Sequence, residues 1–498
     1  MRIILAVALT IGLSFASLAQ TAAGNAFRID YDEFVNSGGV VKYLECGNNA
    51  ILNPGDDFTV MTWIRLRDIG DNQKIIGKFG LDNTGYILGV DQGRVYAEVW
   101  NPTHYEPLDG LMNPTSTYWY HIAYTYTSGD ALRTYINGSE VGTTPVSDDP
   151  IVSSDNDLVI GVASWDLANF QTFGNLDEIA LYNVALTEEE LRAQIFREHA
   201  GDEAGLMTAY NFNIESGVTV EDISGNGNTC TGSATFTGSE WVVSDAPMAD
   251  DNTQMATDLH AVWNGLNFTD PQASTSSNGL NLVANGMDTT DYVVFGHNEG
   301  AGVTMADIPT NAPGDFERTE RVWPHNANGD ATMNAVFSLE AAADGGALLN
   351  GSLAAENYTL LWRPAGGGTF IPIAQGSSVN NGVVVFSDIA PSAGEYSIGV
   401  GSSPIEPSGL SEELISDAIT VLPNPSSGIF RITMDSDLNG TADLSVIDMT
   451  GKVIESRIIQ MNGAQVRDEF DFSEKSAGVY LLQIRAENKV FTQSISIE

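Results

Sequence analysis

The alternation of hydrophobic and polar residues divides the chain into short strands separated by glycine-rich or polar turns. A period of two residues is typical of half-buried β-strands. Between residues 25 and 245 the clearest examples are VVKYLEC (40–46), FTVMTWIRL (58–66), QKIIGKF (73–79), YWYHIAYTY (118–126) and LRTYI (132–136). The pattern predicts an all-β sandwich for this part of the chain.

The segment LDEIALY (176–182) places an acidic pair inside one of these strands. Because successive side chains alternate between the two faces of a strand, Asp177 is expected on the face of Ile179 and Leu181, with Glu178 on the other face. A carboxylate on an apolar face needs a partner, since burial of an unpaired charge is costly. From the residues alone, Asp177 is expected to be a buried carboxylate held by backbone N–H groups or an arginine.

A helix is predicted directly after this strand. Thr187 and Glu190 have the spacing of a capping box, in which each side chain satisfies a backbone N–H group at the helix start. Leu191 and Ile195 then recur on one helical face. We expect a helix of about three turns running toward Gly201, with these two side chains facing inward.

Composition and charge narrow the class of protein. The chain has 498 residues, including 50 glycines and 18 prolines, and 17% of its residues are charged, which favours several β-rich globular domains. Lysine and arginine total 21 against 65 aspartates and glutamates, so the formal net charge is −44. Such a surface repels phosphate backbones and anionic lipid, so nucleic acid is not an expected partner.

The first residues have the features of a secretory signal. Arg2 precedes an apolar run that ends near Phe15, and small residues lead to a predicted cleavage after Ala19. The run is shorter than the roughly 20 residues that span a bilayer, and no other segment is long and apolar enough. We therefore predict a signal peptide over residues 1–19 and no transmembrane segment in the mature chain.

The chain contains two cysteines, Cys46 and Cys230. In an oxidising compartment an even count favours one disulfide over two free thiols. Closure of such a long loop would stabilise the domain by roughly 3 to 5 kcal/mol on the chain-entropy model. We therefore predict a Cys46–Cys230 disulfide.

Four segments of the first block resemble bacterial laminin-G-like domains, which have the concanavalin A-like jelly-roll fold. They are the early Trp-bearing strand FTVMTWIRL, the paired strands YWYHIAYTYTSGDALRTYINGSEVG, the last strand and helix LDEIALYNVALTEEELRA, and the segment LMTAYNFNIESGVTVEDISGNGNTCTG. Each piece is short, but the combination is specific. The resemblance implies a jelly roll over residues 25–245.

The resemblance also implies Ca²⁺ binding by an acid at the position of Asp177 or in the Ser-Gly-Asn-Gly turn. The side-chain oxygens of Asp222, Asn226 and Asn228 could converge on one hard cation, which Asp177 would share if the two segments lie side by side. Two alternatives stay open. The turn could simply be a tight loop of small residues, and Asp177 a buried carboxylate held by backbone N–H groups or an arginine.

The C-terminal block resembles the type A sorting domain of type IX secretion. The matching segments, in order, are ITVLPNPSSGIFRI, LSVIDMTGKVIESRII and SAGVYLLQIRAENKVFTQSISIE. The resemblance implies the type IX secretion machinery as a partner and the outer cell surface or the medium as the destination. We predict that residues 418–498 form a separable β-sandwich that is required for export but not for ligand binding.

The predicted fold class is all-β. A concanavalin A-like jelly-roll sandwich is followed by a second β-sandwich module of undefined role and by a small C-terminal β-sandwich sorting domain. The predicted boundaries are 1–19 for the signal peptide, 25–245 for the jelly roll, 246–262 for a linker, 263–401 for the second module, 402–417 for a linker and 418–498 for the sorting domain.

The sequence shows no catalytic constellation, which favours a binding protein over an enzyme and leaves the enzyme question open. Jelly-roll glycosidases of the laminarinase type hold their carboxylates on one strand face with a Glu-x-Asp-x-x-Glu spacing, since acid and nucleophile flank one bond. Asp177 and Glu178 are adjacent instead, which predicts opposite faces. The six histidines are scattered and form no metalloprotease motif.

Two functional hypotheses follow. The favoured one is a secreted or cell-surface binding and adhesion protein whose jelly roll presents a glycan- or protein-binding surface. The alternative is an accessory or catalytic component of extracellular polysaccharide degradation. Trp100, Tyr105 and Trp165 are the candidate ligand-binding residues, because sugar rings stack on flat aromatic faces. Core packing is the competing explanation for each of them.

Overall fold

The computed structural model describes most of the chain between residues 23 and 497. The residues outside the description are 1–22, 113–117, 164, 167–168, 234–235, 237–238, 265–272, 330, 347, 349–352, 408–418, 423–425, 427–428, 435–438, 449–452, 463–465, 472–477, 487–488 and 498. The predicted signal peptide and most of the predicted linker 402–417 therefore lie outside the described residues. Gln20–Pro407 forms one compact unit, and the C-terminal strands belong to another.

Two antiparallel sheets make up the first part of this unit, with strands numbered in chain order. The first sheet has the order β11-β10-β9-β3-β13-β1-β17, and β14 pairs with β13. Its strands are β1 (Asn25–Ile29), β3 (Asp57–Leu66), β9 (Tyr120–Thr127), β10 (Ala131–Ile136), β11 (Ser139–Pro145), β13 (Gly174–Tyr182), β14 (Leu206–Tyr210) and β17 (Trp241–Val243).

The second sheet has the order β15-β16-β2-β12-β4-β5-β6-β7, and β8 pairs with β6. Its strands are β2 (Leu44–Glu45), β4 (Gln73–Gly80), β5 (Thr84–Asp91), β6 (Arg94–Trp100), β7 (His104–Tyr105), β8 (Leu108–Asp109), β12 (Val159–Ile160), β15 (Thr219–Val220) and β16 (Cys230–Gly232). Alternate side chains of both sheets meet in one apolar core, including Phe58, Ile122 and Leu176 from the first sheet and Tyr86 and Val95 from the second. The predicted sandwich is confirmed.

The predicted disulfide is also confirmed. Cys46 and Cys230 are bonded across a sequence separation of 184 residues, with their Cα atoms 3.9 Å apart. Cys46 follows β2 directly, and Cys230 opens β16, which pairs with β2. The bond therefore ties a strand from near the start of the sandwich to one near its end, within the second sheet.

The prediction that side chains alternate strictly between the two faces of β13 is wrong, because the strand contains a bulge. Its register against β3 shifts between Asp177 and Ala180, and Glu178 has a positive φ of 46°. Asp177 pairs with Trp63, whose side chain lies outside the sandwich core, whereas Ile179 faces the core. Since paired residues share a face, Asp177 lies opposite Ile179 and not beside it.

A helix follows β13 as predicted, but it has about two turns and not three. The helix α2 (Glu188–Ile195) begins with a capping box in which Thr187 and Glu190 satisfy each other's backbone N–H groups. Leu191 and Ile195 are its buried residues. The helix ends before Gly201, at Ile195. A shorter helix, α1 (Tyr31–Asn36), follows β1, and a 3₁₀ turn covers Ala50–Leu52.

A second sandwich follows within the same compact unit. One sheet has the order β18-β21-β24-β30-β23-β22, extended by β26 and β27, and the other the order β19-β20-β25-β29-β28. The strands are β18 (Thr257–Trp263), β19 (Ser274–Ser277), β20 (Leu280–Asn285), β21 (Tyr292–His297), β22 (Val303–Thr304), β23 (Glu317–Thr319), β24 (Trp323–Asn328), β25 (Thr332–Ser338), β26 (Tyr358–Arg363), β27 (Ile371–Gln375), β28 (Ser378–Asn380), β29 (Val383–Ile389) and β30 (Gly394–Val400). Its described helices are α3 (Leu339–Ala343) and a 3₁₀ turn at Ala355–Asn357.

The two sandwiches share an apolar interface. The outer face of the first sheet contributes Trp63 and Tyr182, and the second sandwich contributes Trp263 and Tyr292 to the same buried cluster. The rings of Trp63 and Trp263 meet edge to face with centroids 5.7 Å apart. Ala246, Met248 and Ala249, which fall in the predicted linker 246–262, are buried there as well. The predicted domain boundaries themselves stay predictions.

The C-terminal unit contains a three-stranded and a four-stranded antiparallel sheet. The first joins β31 (Ile419–Leu422), β32 (Ile429–Met434) and β35 (Val466–Asp471). The second has the order β34-β33-β36-β37, with bounds Val453–Asn462, Asn439–Asp448, Gly478–Ala486 and Lys489–Ile497. Across the described parts of both units, no helix has the length and apolarity that a membrane crossing requires.

Candidate functional site

The outer face of the second sheet carries an aromatic patch. Val95, Ala97 and Val99 of β6 face the sandwich core, so the alternate residues Tyr96, Glu98 and Trp100 face outward. We call the outer apolar cluster the Trp100–Trp165 patch. It consists of Phe79, Ile87 and Tyr96, with Trp100, Leu108 and Trp165 half-buried around them.

The loop after β12 completes this patch. The ring of Trp165 lies 5.0 Å from that of Phe79 and 6.0 Å from that of Phe170, measured between centroids. The strand β6 and this loop are far apart in sequence, and the neighbouring strands β4 and β5 bring them together. Two partly exposed indoles, one on β6 and one on the loop after β12, are suited to stacking against flat, weakly polar ligands.

Charged groups border the patch. His104 Nε2 lies 2.8 Å from Glu98 Oε1 and 3.5 Å from Glu106 Oε1. The hydroxyl of Tyr96 donates to Glu98 and also lies 3.1 Å from Glu106 Oε1. The ring of Trp100 stacks on that of His104, with centroids 4.0 Å apart and planes 4° from parallel. Hydrogen-bonding groups therefore lie directly beside the half-buried indole of Trp100.

Lys74 lies on the same face of the sheet. Its ammonium group is 3.0 Å from the centroid of the Tyr96 ring and 5.7 Å from that of Phe170. Burial lowers the pKa of Lys74 to about 8, although Glu98 and Asp91 act in the opposite direction. The lysine therefore supplies a positive charge that weakens in mildly alkaline solution.

The three predicted ligand-binding aromatics occupy different surroundings. Trp100 and Trp165 are both members of the patch. Tyr105 pairs with Val99 and packs against the sandwich core, and its hydroxyl accepts a hydrogen bond of 2.9 Å from the Ser147 backbone N–H. The structure thus brings two of the three together.

The residues of the Ser-Gly-Asn-Gly turn hold the turn closed. Asp222 accepts hydrogen bonds from the backbone N–H groups of Ala209, Ser224 and Asn228. The amide of Asn226 donates to the Met207 carbonyl, and that of Asn228 donates to the same carbonyl and to Asp222. These contacts are those of a tight turn docked on β14. The predicted Ca²⁺ site of Asp177, Asp222, Asn226 and Asn228 stays a prediction.

Asp177 and Glu178 are buried near the interface between the sandwiches. Burial raises the pKa of both carboxyl groups well above the usual range, and for Glu178 the neighbouring Asp177 adds to the shift. One oxygen of Asp177 accepts the Glu178 backbone N–H at 2.9 Å, whereas neither oxygen of Glu178 has a hydrogen-bond partner among the described residues. His121, also buried, has its pKa lowered by burial to about 3.

A cleft of ≈ 830 Å³ lies between α2 and β18. Its polar side chains already have partners: Arg192 donates to the Gly138 carbonyl, Arg197 to that of Ala256, and His260 contacts Thr275 and Asp258. The cleft therefore offers few free polar groups for a ligand.

Sequence reasoning missed Glu98, His104, Glu106 and Lys74. No sequence motif links these four residues, so the sequence alone gives none of them a role. A weak signal exists in β6, where Glu98 lies between two aromatic residues with which it shares a face. His104 comes from β7, and its position beside Glu98 depends on the path of the loop between β6 and β7, which the hydrophobic periodicity does not reveal.

Family comparisons agree with two parts of the chain. Residues 38–192 match the family model of the concanavalin A-like lectin/glucanases superfamily. Residues 420–498 match that of the secretion system C-terminal sorting domain. Both predicted resemblances are confirmed. The chain carries a concanavalin A-like domain and a type IX sorting domain, and it is exported to the cell surface or the extracellular space.

Several solved structures are similar to parts of the chain at low identity. A Bacteroides ovatus protein assigned to carbohydrate binding is 19% identical, with a TM-score of 0.35. The match covers 45% of this chain and 61% of the Bacteroides protein, which is less than two thirds of that protein's length. The heptameric SAP-like pentraxin of Limulus polyphemus is 14% identical (TM-score 0.23; 31% of this chain, 81% of that one). Domain 4 of an extracellular arabinanase from Geobacillus stearothermophilus, solved with arabinotriose, is 20% identical (TM-score 0.24; 28% and 68%). No curated protein matches the sequence.

Proposed function

We propose that the protein is a cell-surface or secreted adhesin-like binding protein whose jelly roll binds an extracellular glycan at the Trp100–Trp165 patch. The observation that carries the proposal is the placement of these two half-buried indoles on one sheet face beside Glu98, His104 and Lys74. Sugar rings present apolar C–H faces for stacking and hydroxyl groups for hydrogen bonds, and this surface offers partners for both.

The position of the second sandwich supports the choice of this face. The outer face of the first sheet is buried against Trp263 and Tyr292 and is closed to a large ligand. The outer face of the second sheet keeps Trp100, Leu108 and Trp165 partly exposed. A polymer such as a glycan chain needs an open surface of this kind.

The charge of the protein also favours a neutral or cationic ligand. A net charge of −44 repels strongly anionic polymers over distances of about a Debye length, roughly 8 to 10 Å. Lys74 is the local exception, but it is only 4% exposed and its ammonium lies over the Tyr96 ring. Neutral glycans are therefore the expected class.

The proposal is tested with a glycan array followed by calorimetry on the full exported chain. Trp100→Ala and Trp165→Ala should each weaken binding of the best glycan at least about tenfold, or about 1.4 kcal/mol. Trp362→Ala is the matched control, because Trp362 is also half-buried but lies in the second sandwich. Equal affinity in all variants would exclude the patch as the binding surface.

The same full-length protein distinguishes glycan binding from the two alternatives, a protein ligand and a catalytic role. An array without any binding would favour a protein ligand over a glycan. Release of new reducing ends from a bound polysaccharide would instead support a catalytic component of polysaccharide degradation. Binding without turnover is the result that the proposed function requires.

A further inference from the structure

We propose that Glu98, His104 and Glu106 form a binding site for a divalent transition-metal ion of the Zn²⁺ class. Their candidate ligand atoms all lie within 4.8 Å of one another, the one such group of three in the described part of the chain. The proposal goes beyond glycan binding, because it concerns these three side chains and requires no glycan.

The backbone brings the three side chains together from consecutive elements. Glu98 lies on β6, His104 on β7, which pairs with β6, and Glu106 in the short connection to β8. β8 also pairs with β6, so both sides of this connection are fastened to the same strand. Two of the ligands therefore lie on paired strands, and the third lies in a connection whose two ends both pair with β6, which favours a defined coordination geometry.

The hydrogen-bond donors within the cluster are too few for its two carboxylates. Tyr96 has one hydroxyl proton, and it faces both Glu98 and Glu106. His104 Nε2 has at most one proton, and it faces the same two carboxylates. One proton cannot be donated fully to two acceptors, so the carboxylates face each other with fewer donors than they can use. A cation among the three groups would satisfy both carboxylates at once.

The surroundings orient the proposed ligands. Trp100 stacks on the His104 ring and restricts its rotation. Tyr96 donates to Oε2 of Glu98, which leaves Oε1 directed at His104. Glu98 is 5% exposed, so this carboxylate is shielded from competing water. Supporting contacts of this kind are typical of metal ligands, whose affinity depends on them.

The donor set indicates the class of ion. One imidazole nitrogen with two carboxylates suits Zn²⁺ and related first-row ions, which take about four ligands at roughly 2.0 to 2.2 Å. Tetrahedral ligands at that distance lie roughly 3.4 Å apart, close to the 2.8 and 3.5 Å between His104 Nε2 and the two carboxylates. Ca²⁺ prefers six to eight oxygen ligands, more than this cluster supplies.

The experiment uses the full exported chain without an affinity tag, stripped with EDTA and titrated with ZnCl₂ by calorimetry. We expect one Zn²⁺ per chain at the cluster, with binding weakened at least about 100-fold in Glu98→Gln and His104→Asn. Glu106→Gln should act in the same direction, and because Glu106 is exposed, this variant is expected to fold. Zn²⁺ should raise the melting temperature of the native chain but not that of Glu106→Gln.

His260→Asn is the matched control, because His260 also contacts a carboxylate, that of Asp258, at 3.1 Å, but lies in the second sandwich. It should bind Zn²⁺ as the native chain does. The proposal is wrong if Zn²⁺ does not bind, if the cluster variants bind it as tightly as the native chain, or if Ca²⁺ binds there as tightly as Zn²⁺. None of these outcomes depends on whether a glycan binds.

Discussion

The two outer faces of the jelly roll carry similar residue types but differ in how far these residues are exposed. Both carry tryptophan, histidine and paired carboxylates: Trp63, His121, Asp177 and Glu178 on the first sheet, and Trp100 with its charged neighbours on the second. On the first sheet all four side chains are buried, and Trp63 packs against Trp263 of the second sandwich. On the second sheet Trp100 and His104 are half-buried and Glu106 is exposed, so these side chains can meet a ligand.

The difference shows what decides the role of a polar side chain on a sheet. Glu178 is fully buried without a hydrogen-bond partner among the described residues, so its charge is suppressed and its pKa rises. Glu98 is nearly as buried, yet it contacts both Tyr96 and His104. Burial with partners gives a polar site, whereas burial without them gives a cost in stability. The following predictions test this contrast, beginning with the largest expected effect.

Trp263→Ala should disrupt the packing of the second sandwich against the first sheet. Trp263 is 2% exposed and packs on Trp63, so truncation should lower the free energy of unfolding by about 3 to 5 kcal/mol. We expect calorimetry to resolve two transitions for Gln20–Pro407, while glycan binding at the second sheet persists. Met255→Ala, at a residue 84% exposed in the preceding segment, should change neither property. A single unshifted transition in Trp263→Ala would contradict the shared interface.

Removal of the disulfide should weaken the second sheet instead. The Cys46→Ser, Cys230→Ser double variant is expected to lose about 2 to 5 kcal/mol in urea unfolding, because the bond constrains the unfolded chain over 184 residues. A reducing agent should destabilise the native protein to the same extent and leave the double variant unchanged. Equal stability of native and variant protein under oxidising conditions would show that the bond contributes nothing.

Glu178→Gln should raise stability at neutral pH by about 1 to 3 kcal/mol. Because burial raises the pKa of Glu178 in the folded state, the folded protein holds this proton more tightly than the unfolded chain. Its contribution is therefore complete below the ordinary pKa of 4.5 and is lost as pH rises toward the folded value, by up to about 1.4 kcal/mol per pH unit.

Glutamine does not titrate, so the advantage of Glu178→Gln should grow with pH when unfolding is measured from pH 4 to 8. Asp177 has the same direction of shift, so part of the pH dependence should remain. Glu189→Gln, at an exposed position of α2, is the control and should follow the native curve within about 0.5 kcal/mol. A pH-independent difference between Glu178→Gln and the native protein would mean that Glu178 does not titrate in this way.

Tyr105→Phe should have the smallest effect. The variant loses the hydrogen bond that the Tyr105 hydroxyl accepts from Ser147, and we expect a loss of about 0.5 to 1.5 kcal/mol in thermal unfolding. Because the ring faces the core, glycan affinity should not change. Weaker glycan binding with unchanged stability would place Tyr105 on the ligand surface.

Local patterns determined much of the fold. The period-two segments around Val60 and Tyr124 became neighbouring strands, and the Thr187–Glu190 spacing formed the capping box that starts α2. These features depend on residues close in sequence, whose preferences act whatever the rest of the chain does. The Cys46–Cys230 bond was predictable for another reason, since an exported chain with two cysteines has one intramolecular pairing available.

Tertiary structure alone decided the face of Asp177 and the composition of the candidate sites. The bulge at Glu178 adds one residue to β13 and reverses the alternation, and no local signal distinguishes it from a regular strand. Trp165 reaches Phe79, and Glu106 reaches Glu98, only because loops fold back over neighbouring strands. The burial of Trp63 depends on a second sandwich more than a hundred residues away in sequence. Periodicity reports which side chains share a face of one element, whereas contacts between elements depend on the register and docking of the whole sheet.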